Sequence, residues 1–490
     1  MIRVDRLVRD TVLNVVFGAS KAALLLWVIR LISLELPAQA LGVFLLSRRL
    51  SFTTASFLQG GVSQTLIRAL PMSATQRNKE PWIAFAWLMW VLIALVVLAA
   101  AFLAPGFLTS FFFGSANVPF AVTQWTAGLI VASVLHFYAV SALFAERRVV
   151  ASNVLEILSG SALLLVVLWS LRSRATVNAL IGTQSIGMCL LSGALLAILW
   201  RDAHTDGHVA RHWRTMARTV ATYGVARALT PFLELLILSL TPWLTRDAPR
   251  EAGALIIALS VLQIVQIAIV PLTQISSVVT AGLVGVADDE RLQQGILILL
   301  GSAFFTCLLM TSILAPWAHT AIRLWLAKPD VVADVTYVIR ALLMGILPLG
   351  IYYAVKGIIE VRWANPYNLW TLLSACCLQV VLYLFFRMTS TAVDAARIAI
   401  TASFWSMGLL SLIWIRQYLP DVRFWGLTRM VAVALLLFVA NLYARQMLGA
   451  AAMVPAVVAS VCFALTVVLI RPSRFTSFTL SFVKQRVALR

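Results

Sequence analysis

Five basic side chains lie inside segments that are otherwise apolar and long enough to cross a bilayer. They are Lys21, Arg48, Arg49, Arg227 and Arg340. A charged side chain at the centre of a bilayer costs about 2.5 to 3.5 kcal/mol on insertion scales, so such residues usually face a polar, hydrated interior. Several positive groups in a low dielectric attract anions. The sequence therefore predicts a cationic, anion-binding cavity within the membrane.

The sign of the charges strengthens this prediction. Basic residues outnumber acidic ones in the predicted spans, where the acidic residues are Glu156, Glu234 and Glu360. Lys21 lies about 15 Å of helix rise from either end of its apolar segment, too deep for its ammonium to reach water easily. Glu156 lies near the end of its segment, which favours a structural role.

Arg48 and Arg49 are neighbours in the second predicted span. Adjacent side chains on a helix point about 100° apart, so the two cannot share one direction. We expect one of them to face the cavity and the other to extend to the interface or to form an ion pair. The sequence does not distinguish the two assignments.

Polar side chains also mark the seventh and eighth predicted spans. Arg227 and Glu234 are seven residues apart, hence on one helix face, with Pro231 between them as an expected kink. They form either a self-neutralised pair or a site in which Glu234 titrates or holds a coupling cation. Gln263 and Gln266 form a neutral stripe that suits either sugar hydroxyls or hydrogen bonds between helices.

The composition requires a membrane protein. The chain has 490 residues, of which 61% are hydrophobic and 12% charged, and its mean hydropathy is +0.95. Spans of about 20 apolar residues predict an all-α polytopic protein with about fourteen transmembrane helices. They are expected near residues 11–33, 41–66, 82–104, 119–143, 150–171, 178–200, 221–243, 252–275, 293–315, 333–359, 368–386, 397–415, 428–446 and 450–470.

An even number of spans places both termini on one side of the membrane. Loops on that side carry more than twice as many Lys and Arg residues as the opposite loops, which predicts that both termini are cytoplasmic. The opposite loops are short, the longest being 105–118 and 316–331. We expect a six-helix lobe over 1–210, a second over 211–420, and two further helices with a tail over 421–490.

Several functions are disfavoured. The net charge of +19 does not indicate nucleic-acid binding, because most basic residues flank spans, where they contact anionic lipid headgroups. The five cysteines lie in apolar segments and suit packing. His204, His208 and His212 repeat every four residues, but Asp206 and Gly207 interrupt the helix pattern, so no metal site is expected. No nucleotide-binding or hydrolase motif occurs, and neither an enzymatic activity nor a cofactor is predicted.

One segment resembles a known family. Residues 30–71, RLISLELPAQALGVFLLSRRLSFTTASFLQGGVSQTLIRALP, are similar to the opening of bacterial polysaccharide flippases of the O-antigen type, within the multidrug/oligosaccharidyl-lipid/polysaccharide (MOP) exporter superfamily. The similarity lies in the Pro-containing outer loop, Gly42 with Phe44, and the GGVSQTLIR exit. The acidic run of residues 288–290 also resembles a cytoplasmic turn of the family. Gln39 and Ala40 stand where the family commonly has an acidic residue.

The resemblance implies two six-helix lobes around a central cavity that opens alternately to each side of the bacterial inner membrane. Its implied cargo is a polyprenyl-pyrophosphate-linked oligosaccharide, moved to the outer leaflet for O-antigen, lipopolysaccharide or exopolysaccharide synthesis. Membrane lipids, and the glycosyltransferases and polymerase of the same pathway, are the implied partners; the coupling ion stays open. A multidrug exporter of the same superfamily ranks second, since cationic drugs suit acidic cavities, and a membrane glycosyltransferase or polymerase ranks third.

Overall fold

Most helices in the described part of this chain are apolar segments that satisfy their own backbone hydrogen bonds, as a bilayer requires. The computed structural model describes residues 4–72, 79–114, 117–146, 148–171, 175–203, 209–262, 289–326, 328–362, 366–416 and 425–470. Over these ranges every regular element is helical, which confirms the predicted all-α membrane fold.

The first part of the chain forms helices α1 to α12. Their bounds are α1 Val4–Glu35, α2 Ala38–Leu58, α3 Val62–Met72, α4 Glu80–Leu103, α5 Pro105–Phe113, α6 Phe120–Ala145, α7 Val149–Ile157, α8 Leu163–Leu171, α9 Val177–Ala203, α10 Val209–Thr219, α11 Val225–Leu244 and α12 over 249–262. Two π-helical turns, Leu158–Ala162 and Val220–Gly224, join α7 to α8 and α10 to α11.

The second part forms helices α13 to α18. Their bounds are α13 Asp289–Trp325, α14 Pro329–Arg362, α15 Tyr367–Arg387, α16 Ala392–Ile415, α17 Trp425–Leu448 and α18 Met453–Ile470. A short 3₁₀ turn, Ala450–Ala452, leads into α18.

Ten of the described helices are long and apolar enough to span a membrane, or eleven if the bent pair of Trp213–Gly224 and Arg227–Leu244 counts as one span. That pair bends by 52° at the break before Arg227, earlier than the kink expected at Pro231, which lies inside α11. The predicted eighth span continues beyond the described residues.

Three sequence expectations about helix ends were wrong. The second predicted span is two helices, because Gly60 and Gly61 adopt positive φ angles of 59° and 81° that a regular helix cannot contain. The predicted outer loop 105–118 contains α5. Most of the predicted loop 316–331 is helical, since α13 continues through Pro316, which membrane helices tolerate when neighbouring groups satisfy the backbone.

The chain divides into two compact units. Unit 1 comprises Met1–Ile264 with Leu372–Ser403, and α6 is its central helix. In the most apolar stretch of α6, 78% of the residues are buried, against 17% in α4. α6 is therefore an interior helix and α4 a peripheral one. α6 packs on α2, α3, α4, α7 and α9.

Unit 2 comprises Val265–Thr371 with Phe404–Arg490. Here α13 packs along α14 and α17. Small residues bring α14 and α16 close: a Cβ on Gly408 would lie 2.6 Å from atoms of Pro348. The six-helix lobes expected over 1–210 and 211–420, with two helices over 421–490, stay a prediction.

Candidate functional site

The π turn Leu158–Ala162 is the point at which polar and charged side chains of unit 1 meet. Its sequence, LSGSA, is small and polar, and Ser159 is fully buried. A π turn widens the helix by one residue and so offsets its carbonyl groups from the regular pattern; such turns are frequent at functional sites. The turn thereby offers a backbone acceptor to side chains of neighbouring helices.

Arg48 of α2 uses this acceptor. Its Nη2 atom donates a hydrogen bond to the Gly160 carbonyl oxygen at 2.8 Å, and its Cζ atom lies 5.9 Å from the centre of the Phe52 ring. A side chain on Gly160 would approach this guanidinium, whose Nη2 atom lies 3.9 Å from the ideal Cβ position. This is an ordinary van der Waals distance, so the position next to the guanidinium does not itself require a glycine.

Lys21 of α1 contacts α7, the helix that precedes the π turn. Its ammonium forms an ion pair with the Glu156 carboxylate and donates a hydrogen bond to Asn153 Oδ1 at 3.2 Å. The Lys21 and Glu156 side chains are 31% and 33% exposed, so the pair is only partly buried. Lys21 thus lies in the polar surroundings that its depth in the sequence requires, but a carboxylate, not foreseen as its partner, balances its charge.

A histidine extends the same polar cluster. His136 of α6 is 5% exposed, and its Nδ1 atom lies 3.3 Å from both Ser159 Oγ and Ser192 Oγ. One contact joins the histidine to the π turn and the other joins it to α9. The imidazole therefore links α6 both to α9 and to the π turn whose Gly160 carbonyl accepts the hydrogen bond from Arg48.

Arg49 points to a different helix from Arg48. Its Nε atom donates to Ser239 Oγ on α11 at 3.2 Å, and Ser239 also shares a 2.7 Å hydrogen bond with Thr53 Oγ1. Both arginines are half-buried. Each contacts polar atoms of unit 1, and which of the two faces a cavity stays a prediction.

The electrostatic character of the cluster is positive. Among the described residues, Arg48 contacts a carbonyl and an aromatic ring but no carboxylate. Glu156 balances Lys21 only. Two or more guanidinium and ammonium donors around an offset backbone turn can hold a phosphate or carboxylate group, because charged donors form short, strong hydrogen bonds with such oxygens. Within the described ranges, no group of three or more His, Cys, Asp or Glu side chains could hold a metal ion.

The remaining predicted residues lie elsewhere. Arg227 of α11 is exposed and contacts the Tyr223 ring, and no ion pair joins it to Glu234 among the described residues. Glu234 is half-buried. Arg340 is exposed on α14, in unit 2. Gln263 and Gln266 lie outside the described residues.

Sequence reasoning assigned no role in the site to three residues of the cluster. Glu156 and Asn153 are 135 and 132 positions from Lys21, so no local spacing announces their contact. His136 could have been identified from the sequence, because it is a single histidine within the long apolar run of α6. A titratable residue inside a span is a candidate functional residue by default.

Comparison with known proteins identifies a fold. Neither a protein-family model nor a curated protein matches the sequence. Solved structures do match: the lipid II flippase MurJ in an inward closed conformation has a TM-score of 0.72 at 11% identity, covering 94% of this chain and 100% of that one. An inward-facing multidrug resistance MATE family transporter of the MOP superfamily has a TM-score of 0.65 at 13% identity, covering 86% and 98%.

A third similar structure is a MOP superfamily transporter from Pyrococcus furiosus, described as having a binding pocket of reverse polarity that suggests a different function. Its TM-score is 0.53 at 16% identity, with 84% of this chain and 95% of that chain covered. At these identities the similarity concerns the fold. The chain is a multi-pass membrane protein with the fold of MOP superfamily transporters.

Proposed function

We propose that the protein flips a polyprenyl-pyrophosphate-linked oligosaccharide from the cytoplasmic to the outer leaflet of the bacterial inner membrane by alternating access, for surface polysaccharide synthesis. Both termini are cytoplasmic in this proposal. The glycosyltransferases and polymerase that build and extend the glycan are its pathway partners.

The observation that carries the proposal is Arg48. Its guanidinium lies beside the π turn, bonded to the Gly160 carbonyl at 2.8 Å and without a carboxylate partner among the described residues. A carbonyl accepts a hydrogen bond but does not neutralise the charge, so the guanidinium retains its affinity for an anion. A planar guanidinium matches two phosphate oxygens at once, which makes arginine the preferred side chain for such headgroups.

The ion pair between Lys21 and Glu156 fits the same role. A diphosphate group entering beside Arg48 competes with the Glu156 carboxylate for the Lys21 ammonium, since both present anionic oxygens. The ammonium is a point charge on a flexible stem and can change partner without a change of helix position. We assign Arg49, Arg227 and Arg340 to later or earlier contacts with the same anionic cargo.

Energy coupling is a separate part of the proposal. Glu234, half-buried in α11, is the carboxylate that we assign to a coupling ion. Gln263 and Gln266, which lie outside the described residues, are assigned to the polar lining of the cavity. Neither the ion nor the glycan is specified by these residues.

A multidrug exporter is the competing function, because MATE family transporters share the fold. Cationic drugs would meet the excess positive charge around Arg48, which disfavours their binding. The similar Pyrococcus furiosus transporter, described with a pocket of reverse polarity, illustrates that this fold accommodates pockets of different charge.

The test is a transport assay in proteoliposomes. A fluorescent polyprenyl-diphosphate saccharide is followed by its accessibility to a membrane-impermeant quencher, beside a cationic dye as the competing cargo. We expect flipping of the anionic glycolipid and no transport of the dye. Arg48→Gln should lower the flipping rate about tenfold or more, because a hydrogen bond to a charged group is lost.

Arg445→Gln is the matched control, since Arg445 Nη1 also donates to a backbone carbonyl, that of Pro316, at 2.8 Å. It should leave flipping per folded protein unchanged. Transport of the dye with no flipping of the glycolipid would replace the proposed function by drug export.

A further inference from the structure

Two arginines from different parts of unit 1 share one tyrosine ring. The Cζ atom of Arg68 lies 4.3 Å from the centre of the Tyr223 ring, and the Cζ atom of Arg227 lies 5.4 Å from it. Arg68 is in α3, Tyr223 is in the π turn before α11, and Arg227 is in the first turn of α11. Both arginines are exposed and Tyr223 is half-buried.

The backbone brings these side chains together through two glycines. A Cβ on Gly61 would lie 2.1 Å from the Gly224 carbonyl carbon, and a Cβ on Gly224 would lie 2.5 Å from Thr65 Oγ1. The start of α3 and the π turn Val220–Gly224 are therefore in direct backbone contact. Arg68 follows Thr65 by three residues on one helix face, and Tyr223 adjoins Gly224, so this contact fixes their distance.

The cluster has two positive charges and no negative one. Among the described residues, neither Arg68 nor Arg227 forms an ion pair. Each guanidinium is attracted to the ring, whereas the two like charges repel each other. An anion held between them removes that repulsion, and two guanidinium forks can grip a phosphate group from both sides.

The surroundings favour a ligand at the membrane surface. The amphipathic helix α10 leads directly into the π turn, and its Arg214 and Arg218 are exposed. Basic residues of this kind lie at the level of lipid headgroups. By the charge distribution of the sequence, this end of unit 1 is the cytoplasmic one.

We propose that Arg68, Tyr223 and Arg227 form a binding site for a phosphate or diphosphate group presented at the cytoplasmic membrane surface. Resting on the proposed flipping function, the site recognises the diphosphate headgroup of the lipid-linked cargo before it is transported. The ring contacts both guanidinium groups and so keeps them near each other, and their exposure leaves the site open to lipid.

Binding is measured with the full chain in nanodiscs of zwitterionic lipid. The probes are farnesyl diphosphate, inorganic pyrophosphate and farnesol, and a second set of nanodiscs contains phosphatidylglycerol. We expect farnesyl diphosphate to bind and farnesol not to bind. Arg68→Gln and Arg227→Gln should each weaken binding of the diphosphate about tenfold. Tyr223→Leu, which keeps both charges but removes the ring that both contact, should weaken it as well.

The control is Arg201→Gln, because Arg201 is 82% exposed near the end of α9 and lies 3.9 Å from Asp202. It should leave binding within about twofold of the original. A loss as large in Arg201→Gln, or no loss in Arg68→Gln and Arg227→Gln, would overturn the proposal. Displacement of farnesyl diphosphate by phosphatidylglycerol would assign the site to bulk lipid and overturn its link to the cargo.

The binding assay is independent of transport. If wild-type protein binds farnesyl diphosphate through Arg68 and Arg227 but flips no glycolipid, the anion site stands and the proposed function fails. If it flips glycolipid normally in both variants and their binding is unchanged, the function stands and this site fails.

Discussion

Unit 2 contains a polar network whose donors and acceptors complete one another. Asn441 is 1% exposed; its Oδ1 atom accepts a hydrogen bond from Trp317 Nε1 at 2.8 Å, and its Nδ2 atom lies 2.8 Å from Ser460 Oγ. Arg445, one turn later on α17, donates to the Pro316 carbonyl at 2.8 Å. The network joins α17 and α18 to α13 at the proline, mostly through neutral groups.

Unit 1 contains the same kinds of contact around an excess of charge. Arg48 donates to the Gly160 carbonyl over the same 2.8 Å as the arginine of unit 2. The same π turn and the helix before it also carry the ion pair of Glu156 with Lys21 and the contact of Ser159 with the His136 imidazole. A neutral network stabilises the packing of membrane helices, whereas charges at this depth are costly and are retained for binding or transport.

The largest expected difference between the units concerns two glycines with positive φ. Gly61 in unit 1 has a φ of +81°, and its Cβ position is blocked at 2.1 Å by Gly224; Gly449 in unit 2 has a φ of +67° with nothing within 4 Å. Gly61→Ala should lower the free energy of unfolding by about 3 kcal/mol or more, since strain and a backbone clash add. Gly449→Ala should lower it by about 1 kcal/mol, from backbone strain alone, since its φ of 67° and ψ of −160° lie in a region that residues other than glycine rarely adopt.

Equilibrium unfolding in detergent measures both variants. Equal losses in the two variants would mean that the start of α3 can move away from the π turn Val220–Gly224 without a cost in free energy. The Gly61–Gly224 contact would then not hold Arg68 in a fixed position relative to Tyr223. The expected difference in stability loss between the two units would also be absent.

Much of the fold could be predicted from the sequence, because long apolar runs have few alternatives in a bilayer. Pro37 and Pro119 are signals of helix starts, since each directly precedes the first residue of a helix. The break at Gly60 and Gly61 was missed because adjacent glycines are also tolerated within membrane helices. The two π turns could not be predicted, since an extra residue in a helix is stabilised by its tertiary neighbours.

The candidate site was predictable only in its positive half. A basic residue inside an apolar run is visible from its neighbours, which identified Lys21 and Arg48. The partners of Lys21 depend on the packing of α1 against α7. The partner of Arg48 depends on the position of α2 beside the π turn Leu158–Ala162. Glu156 lies near a predicted span end, a position that indicated a structural residue, and nothing local connects it with an ammonium 135 residues away.

The next expected effect tests whether Lys21 and Glu156 act as a pair. Glu156→Leu leaves an ammonium without its carboxylate partner, and we expect it to lower the free energy of unfolding by about 2 kcal/mol, less than for a fully buried pair because both side chains are about one-third exposed. Lys21→Met together with Glu156→Leu should recover about 1 kcal/mol of this loss.

The pair should also respond to salt, which distinguishes it from the neutral network of unit 2. In a double-mutant cycle, the coupling energy of Lys21 and Glu156 should fall between low and high ionic strength. The coupling of Trp317 and Asn441, measured with Trp317→Phe and Asn441→Leu, should not change. Additive losses for the first pair at every salt concentration would contradict the assignment.

The smallest expected effect on stability separates packing from function most clearly. Ser239 in unit 1 and Ser460 in unit 2 are both buried, and each donates to a carbonyl one turn earlier in its own helix, at 2.7 and 2.8 Å. Each also meets one further neutral partner, Thr53 at 2.7 Å and Asn441 at 2.8 Å. Alanine at either position should therefore lower the free energy of unfolding by a similar amount, about 0.6 kcal/mol.

Ser239 differs in one respect, since it also accepts a hydrogen bond from Arg49 at 3.2 Å. Ser239→Ala should lower the flipping rate several-fold, because Arg49 loses the acceptor that directs it, and Ser239→Thr should restore the rate by restoring the hydroxyl. Ser460→Ala should leave the rate unchanged. If both alanine variants slow flipping equally, the rate follows stability, and the charged cluster of unit 1 has no role beyond that of the neutral network.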